Sequence, residues 1–321
     1  MNSGAGLVIL EATAVKAEGR ISPDCLGLWD DRTEEALREN LQRSRKNSPH
    51  VPVFIQLAHA GRKASTSSPW KGHRCLNKEE GGWVTEAPSP IPYSDEQKIT
   101  PHALTEKEIQ NLLADFASSA ERAERAGLDG IEIHGANGYL IHEFLSPLSN
   151  HRDDRYGGSY QNRIRFCLEV FQSIRSTFKG PLGIRLSASD WVEGGWTPEE
   201  TADLAVTLKE MGCAYVHVIS GGLLYLQKIS EPPHYQVPFS KAVKQKSDIV
   251  TIANGLITDP HEAERILQEG DADCVALARG FLYNPRWGWT AAAALGEKVS
   301  VSPQYLRCAP HGFAGIFEVP K

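Results

Sequence analysis

The sequence predicts an α/β protein folded as a (β/α)8 TIM barrel, and three observations support this fold class. Short apolar runs alternate with amphipathic segments along most of the chain, which is the pattern of parallel β-α-β units. The runs are rich in Val, Ile and Leu, as strands covered on both faces are. They recur about 25–50 residues apart, as barrel strands do. A doubly wound sheet is the alternative, disfavoured because no G-x-G-x-x-G turn follows a strand.

Seven strands can be recognised, one fewer than a closed barrel requires. They are residues 6–13, 52–61, 130–137, 181–189, 214–221, 248–255 and 273–280. The chain enters the first of these runs almost at once. We therefore expect one domain, residues 1–321, whose barrel lacks its first β-α unit and has two unpaired sheet edges.

Helix starts lie between the runs. The segments that begin at Thr105 and Thr197 each place a glutamate three residues after the threonine, which predicts a capping box. The second segment also has proline at its first helical position, where the missing N–H costs nothing. Asp259 followed by Pro260 likewise predicts an N-cap residue with proline at the first helical position. These three starts predict helices that connect successive strands.

The longest connection, residues 62–104, follows the third strand of the eight. It is rich in proline and glycine and shows no helical period, but it contains Trp70, Trp83 and Tyr93. Loops of this length usually cover binding sites, and disordered tracts are poor in aromatic residues. We predict a capping lid here, with a disordered surface insertion as the alternative, and a C-terminal tail over residues 300–321.

Composition excludes several classes of protein. The 321 residues include 34 basic and 40 acidic side chains, a net charge of −6, which argues against a nucleic-acid partner. No apolar run approaches the roughly 20 residues that span a bilayer, so no membrane partner is expected. The six cysteines form no C-x-x-C pair, which removes the common zinc spacing and any obvious disulfide framework. These features favour a cytoplasmic location.

Three polar side chains come at the ends of successive apolar runs. Gln56, His134 and Arg185 each lie four residues after their run begins. Because side chains alternate along a strand, we expect all three to share one register and face the barrel mouth. Such a set suits a planar, polar and partly anionic ligand. The alternative for each residue alone is an ordinary buried polar group with an internal partner.

The last two runs end in a pattern typical of a phosphate site. Asn254-Gly255 ends one run and Ala278-Arg279-Gly280 ends the next. Backbone N–H groups in such loops, with a nearby arginine, bind phosphate in many barrels. The alternative is a pair of ordinary left-handed turns with a surface arginine.

Residues 132–159 carry the most informative segment. His134 and Asn137 can both donate a hydrogen bond to one oxygen, as an oxyanion hole does. Tyr139, two residues further on, has a hydroxyl that could deliver a proton.

This segment resembles the old yellow enzyme family of FMN-dependent ene-reductases, and above all its thermophilic-like, or YqjM-like, branch. The agreement extends over essentially the whole chain and is most specific between Ser149 and Arg163. The agreeing segments are residues 6–20, 56–65, 134–166, 185–190, 255 and 278–279.

The resemblance implies two cofactors, FMN and NADPH, and a set of residues that bind FMN. Gln56 and Arg185 would contact the pyrimidine side of the flavin ring, with Arg185 offsetting negative charge on the reduced form. Ala12 would approach the ring through its backbone. Three further residues would hold the phosphate: Gly255, Ala278 and Arg279.

The resemblance also implies a small-molecule substrate of the enone type. His134 and Asn137 would bind the oxygen of its electron-withdrawing group, and Tyr139 would donate a proton to the α-carbon. Arg307 matches an arginine that some members insert into a neighbouring subunit's active site, which suggests a homodimer.

The sequence departs from the family at two points. Members carry a first β-α unit whose proline-methionine-cysteine segment touches the flavin, and we expect this chain to lack it. Asn137 replaces a histidine common in the branch, though it keeps a donor. The alternative function is therefore a shortened, degenerate barrel without flavin chemistry. A metal-dependent hydrolase is disfavoured, because the chain has no H-x-H strand and no clustered carboxylates.

Overall fold

Seven parallel strands form one curled sheet in the computed structural model, which describes residues 1–46, 48, 50–94, 99–225, 227–313 and 315–319. Each strand pairs with the next one along the chain. The strands are β1 (Val8–Ala14), β2 (Val53–Ala58), β3 (Gly130–Gly135), β4 (Leu182–Ser187), β5 (Val216–Ile219), β6 (Thr251–Ala253) and β7 (Cys274–Val275). Within the described ranges, β1 and β7 pair on one side only.

Helices connect the strands and cover the outer face of the sheet. They are α1 (Asp31–Lys46), α2 (Glu106–Ala126), α3 (Leu140–Leu145), α4 (Tyr160–Arg163), α5 (Arg165–Thr177), α6 (Pro198–Glu210), α7 (Val237–Ser247), α8 (Pro260–Gln268), α9 (Arg279–Tyr283) and α10 (Trp287–Leu295). The three predicted starts are confirmed. Thr105 and Thr197 form capping boxes, and the Asp259 side chain accepts the N–H groups of residues 261 and 262.

The core lies between the sheet and these helices. Ile55, Ile133 and Ile184 are fully buried in one apolar cluster with Phe116 of α2 and Phe171 of α5. This places the isoleucines on the outward face of the sheet, as strand alternation predicts. Their neighbours in sequence, which include the predicted site residues, therefore point to the inside of the barrel.

The predicted lid segment, residues 62–104, is folded against the barrel over its described part; residues 95–98 lie outside the described residues. Its anchor is Glu86, in a short strand (Glu86–Ala87) that pairs with His102–Ala103. The Glu86 carboxylate accepts from Lys16 Nζ at 2.9 Å and contacts His59 Nε2 at 3.0 Å. Trp83 Nε1 also donates to the carbonyl of Glu18. A covering role for this segment stays a prediction.

The predicted tail, residues 300–321, packs against α10. Tyr305, in a 3-10 helix (Pro303–Cys308), and Phe317 both contact the ring of Trp289, with centroids 5.3 and 4.9 Å apart. The short strand Phe317–Glu318 pairs with Val299–Ser300. Residues 314, 320 and 321 of the tail lie outside the described residues. No described helix is both long enough and apolar enough to cross a membrane.

The Glu86 anchor gives a stability prediction. Burial by itself raises the pKa of Glu86, but His59 and Lys16 outweigh it and lower that pKa to about 2. The stabilising effect is therefore full above the ordinary glutamate pKa and is lost as pH falls from about 4.5 towards 2. We expect Glu86→Gln to lower the free energy of unfolding at pH 7 by about 1–3 kcal/mol. Urea unfolding at pH 7 and pH 3 measures this loss.

Glu79→Gln, at an exposed position of the same segment, is the control and should leave the free energy of unfolding unchanged at pH 7 and at pH 3. Equal unfolding free energies for wild type and Glu86→Gln at pH 7 would contradict the anchor.

Candidate active site

Two side chains, one buried and one half-buried, meet at the carboxyl end of the sheet. His134 on β3 is the register partner of Arg185 on β4, so the two lie side by side. Within the described structure, His134 Nδ1 and Arg185 Nε are buried and have no hydrogen-bond partner. Buried polar atoms are seldom left unpaired, because losing water without a new partner costs free energy. These two atoms therefore mark a place where a polar ligand fits.

His134 is a neutral imidazole at physiological pH. Burial, and next the positive charge of Arg185, lower the pKa of His134 to about 3. A neutral imidazole carries a single N–H, so one ring nitrogen donates while the other accepts. Burial also lowers the pKa of Arg185, but the Glu132 carboxylate opposes this shift. His134 can thus act as a hydrogen-bond donor without acquiring charge.

The expected shared register is right for His134 and Arg185 and wrong for Gln56. Gln56 lies opposite Glu132, two residues before His134, and its Nε2 donates to Glu132 Oε1 at 2.6 Å. The apolar runs begin at equivalent points in the sequence, but hydrogen-bond stagger sets the alignment of barrel strands. Because the offset is two residues, Gln56 still points to the inside of the barrel.

Glu132 organises the interior and was missed at the sequence level. It is fully buried, and its Oε2 accepts from Tyr215 Oη at 3.2 Å and His217 Nδ1 at 3.1 Å. His217 Nε2 contacts Asn254 Nδ2 at 2.8 Å, which assigns the proton of this imidazole to Nδ1. The available signal was a carboxylate in an apolar strand, two residues before His134 and thus on the same face.

Glu132 is a carboxylate despite its burial. Desolvation by itself raises the pKa of Glu132, but the contact with His217 and the nearby positive charge of Arg185 outweigh it, so the pKa is lowered. The negative charge of Glu132 in turn offsets the positive charge of Arg185.

Asn137 and Tyr139 stand in the turn that follows β3. Asn137 has a left-handed backbone with φ of +58°, and its N–H donates to Ser187 Oγ at 3.0 Å. Tyr139 directly precedes α3, and its ring meets the ring of His134 edge-on, with centroids 5.0 Å apart. Burial raises the pKa of Tyr139 to about 12, so its hydroxyl keeps a proton. The structure thus brings together the predicted His134 and Tyr139.

Ala12 lies close to the same group. It follows a register shift in β1, where Glu11 is the extra residue between the paired Leu10 and Ala12. Ala12, Tyr139 and Cys25 line one small cavity. Ala12 is therefore placed beside Tyr139, although nothing in its own side chain predicts this.

The predicted phosphate residues lie on neighbouring turns. β6 and β7 are paired, so the turn at Gly255 and the turn at Ala278-Arg279 are adjacent. Gly255 has φ of +111°, which favours glycine, and Arg279 is the exposed first residue of α9. Arg307 is exposed in the tail. Phosphate binding by the first three residues and a role for Arg307 in a neighbouring subunit stay predictions.

The Glu132 network gives a second stability prediction. Glu132 accepts from Tyr215 and His217 and offsets the charge of Arg185, and leaving a buried charge uncompensated typically costs about 3–5 kcal/mol. We expect Glu132→Gln to lower the free energy of unfolding by about this amount at pH 7, measured by urea unfolding. Glu210→Gln, an exposed acid at the end of α6, is the control. A loss under about 1 kcal/mol would mean that Glu132 does not balance Arg185.

Comparison with known proteins agrees with this geometry. The sequence model of the NADH:flavin oxidoreductase / NADH oxidase family matches residues 2–297. The chain is 44% identical over 302 residues to an NADPH dehydrogenase of Geobacillus sp. (strain WCH70), covering 94% of this chain and 83% of that one. It is 40% identical over 302 residues to an NADPH dehydrogenase of Bacillus subtilis (strain 168), with 94% and 84% covered.

Solved structures lead to the same family. Morphinone reductase superposes with a TM-score of 0.73 at 27% identity, over 100% of this chain and 83% of that one. The old yellow enzyme homologue from Zymomonas mobilis superposes with a TM-score of 0.73 at 26% identity, over 99% of this chain and 85% of that one. These matches confirm the predicted barrel class, the predicted FMN-dependent oxidoreductase and the family resemblance. The chain therefore belongs to the NADH:flavin oxidoreductase / NADH oxidase family and is of the old yellow enzyme type.

Proposed function

We propose that this protein is an NADPH-dependent ene-reductase that reduces activated C=C bonds of α,β-unsaturated carbonyl compounds. One observation carries the proposal. Among the residues that the structure describes, His134 Nδ1 and Arg185 Nε are buried atoms without partners on adjacent strands, and the Tyr139 ring packs on His134. A polar ring and a carbonyl oxygen are the kinds of group that such a pair binds.

Several residues would hold FMN at the carboxyl ends of the strands. When bound, FMN would take reducing equivalents from NADPH and supply them to the alkene. The guanidinium of Arg185 would face the pyrimidine side of the ring and offset negative charge there. The amide oxygen of Gln56 would accept from the ring, since Gln56 Nε2 already donates to Glu132. Four further residues would complete the site: Ala12 beside the ring, and Gly255, Ala278 and Arg279 at the phosphate.

His134 and Asn137 would polarise the substrate carbonyl. The neutral imidazole and the side-chain amide each offer an N–H to one oxygen, and negative charge grows on that oxygen as the double bond is reduced. Donors fixed before the reaction stabilise that charge more in the transition state than in the ground state. The low pKa of His134 keeps its donor uncharged over the working pH range.

Tyr139 would donate the proton to the α-carbon. Its hydroxyl stays protonated because burial raises the pKa of Tyr139 to about 12. Its ring packs on His134, so the hydroxyl and the carbonyl-binding donors belong to one rigid group. The proton would be renewed from water after each turnover.

Two further points belong to the proposal. Arg307 is exposed, as an arginine that reaches into a second copy in a homodimer must be before association. The cytoplasm is the proposed location, because the spacing of the six cysteines shows no disulfide framework.

One observation favours a second candidate, a barrel without flavin chemistry. In the described part of the chain the sheet is open between β1 and β7, on the side where Ala12 lies. An open side would admit water to the site and weaken the retention of FMN.

A visible absorption titration of the purified chain separates the two candidates. We expect the protein to take up added FMN, to lose the flavin band when NADPH is added without oxygen, and to recover it with cyclohex-2-enone. Arg185→Met should bind FMN at least tenfold more weakly, because a buried charge–ligand contact is lost. A wild-type chain that takes up no FMN would favour the second candidate.

Tyr139→Phe tests the proton donor. General acids contribute about 10²–10⁴-fold, so we expect the rate of flavin reoxidation by cyclohex-2-enone to fall by at least 10²-fold. Reoxidation by dioxygen puts no proton on carbon and should be unchanged, as should reduction by NADPH. Stopped-flow absorbance measures all three rates. Equal enone rates in variant and wild type would assign the proton to another donor.

A further inference from the structure

We propose that Lys63 is a positioning residue of this active site, joining the turn after β3 to the loop after β5 and so fixing Asn137 and Tyr139. The inference rests on the proposed function, because it assigns a role within that reaction. Lys63 ends a 3-10 turn (Gly61–Lys63) that follows β2, and its ammonium reaches across the carboxyl ends of the strands.

The ammonium joins two loops that lie in direct backbone contact. Lys63 Nζ donates to the carbonyl oxygens of Asn137 and Gly222, both at 2.8 Å. Gly222 has φ of +91°, and a Cβ there would lie 2.8 Å from the Asn137 backbone. Two carbonyl dipoles pointing at one place repel each other unless a cation lies between them. Lys63 therefore makes this close approach favourable.

The conformation of Asn137 depends on this support. A φ of +58° is uncommon outside glycine, so the surrounding contacts have to hold the backbone there. The N–H of Asn137 is held by Ser187 Oγ, whose own hydroxyl donates to the carbonyl of Gly221. Lys63 holds the carbonyl of the same residue. Without Lys63, one half of the restraint on the Asn137 backbone is lost, and the turn that carries Asn137 and Tyr139 is no longer fixed.

The same ammonium also touches two tyrosine rings. Lys63 Nζ lies 5.1 Å from the ring centroid of Tyr139 and 4.7 Å from that of Tyr93 in the segment 62–104. A cation near an aromatic face is attracted by the ring quadrupole, which requires the lysine to be charged. Lys63 therefore links the proposed proton donor to the segment 62–104.

Burial brings the pKa of Lys63 down towards neutrality, and the charges around it adjust that shift. Burial lowers the pKa of Lys63 to about 8, with Glu143 of α3 opposing the shift and the neighbouring Arg62 adding to it. Burial raises the pKa of Glu143 to about 8, and Glu143 Oε1 accepts from the Arg62 N–H at 2.9 Å. His134 on β3 is neutral, and Tyr139 keeps its proton. Contacts that need a charged Lys63 thus weaken as pH rises through about 8.

Steady-state kinetics of the FMN-loaded protein with cyclohex-2-enone test the proposal. Small displacements of catalytic groups cost up to about 10²-fold, so we expect Lys63→Met to lower kcat by 10- to 100-fold. The Kd for FMN and the rate of reoxidation by dioxygen should stay unchanged. We expect the wild-type kcat to fall above pH 8 as Lys63 loses its charge, and we expect no such fall in Lys63→Met. Lys63→Gln, which keeps N–H donors without charge, should recover part of kcat.

Lys16→Met is the matched control. Lys16 is a half-buried lysine that also secures the segment 62–104, through Glu86, without touching Asn137. It should keep the wild-type kcat and pH profile. If Lys63→Met or Lys63→Gln keeps the wild-type kcat and the wild-type pH profile above pH 8, the inference is overturned and the proposed function stands. A wild-type chain that binds no FMN or leaves cyclohex-2-enone unreduced would instead overturn the proposed function, and the inference with it.

Discussion

A buried carboxylate inside the barrel is the constraint on which the rest of the site depends. Glu132 is fully enclosed, so each lone pair it offers needs a donor. Gln56 supplies one from β2, and Tyr215 and His217 supply the others from the start of β5. In return, the negative charge of Glu132 helps to stabilise the half-buried guanidinium of Arg185 one strand away. A largely desolvated arginine inside an apolar barrel is favoured by an acid nearby.

The second layer of the site is made by backbone contact rather than by side chains. The turns after β3 and β5 approach until Gly222 touches the backbone of Asn137, and Gly138 has φ of +70°. Only glycine fits such an approach without strain. Two polar side chains then hold the turns together: the Ser187 hydroxyl bonds to Asn137 N–H and Gly221 C=O, and the Lys63 ammonium donates to the carbonyls of Asn137 and Gly222. Asn137, one of the donors proposed for the substrate, lies on this joined pair of turns.

The long segment after β2 is secured by charge as well. Glu86 ties it to Lys16 and His59 on the barrel, and Tyr93 of that segment lies on Lys63. Because the Lys63 ammonium also contacts Asn137 and Tyr139, one cation links this segment to the turn after β3.

The sequence by itself determined the strands, the helix caps and the family. Strand alternation put His134 and Arg185 on the inner face, and the segment around them pointed to the family, because these signals come from residues near in sequence. Only the tertiary structure decided that Gln56 pairs with Glu132 and that Lys63 reaches residues 74 and 159 positions away. Register and cross-loop contacts depend on how distant segments pack, and one-dimensional periodicity carries no record of that.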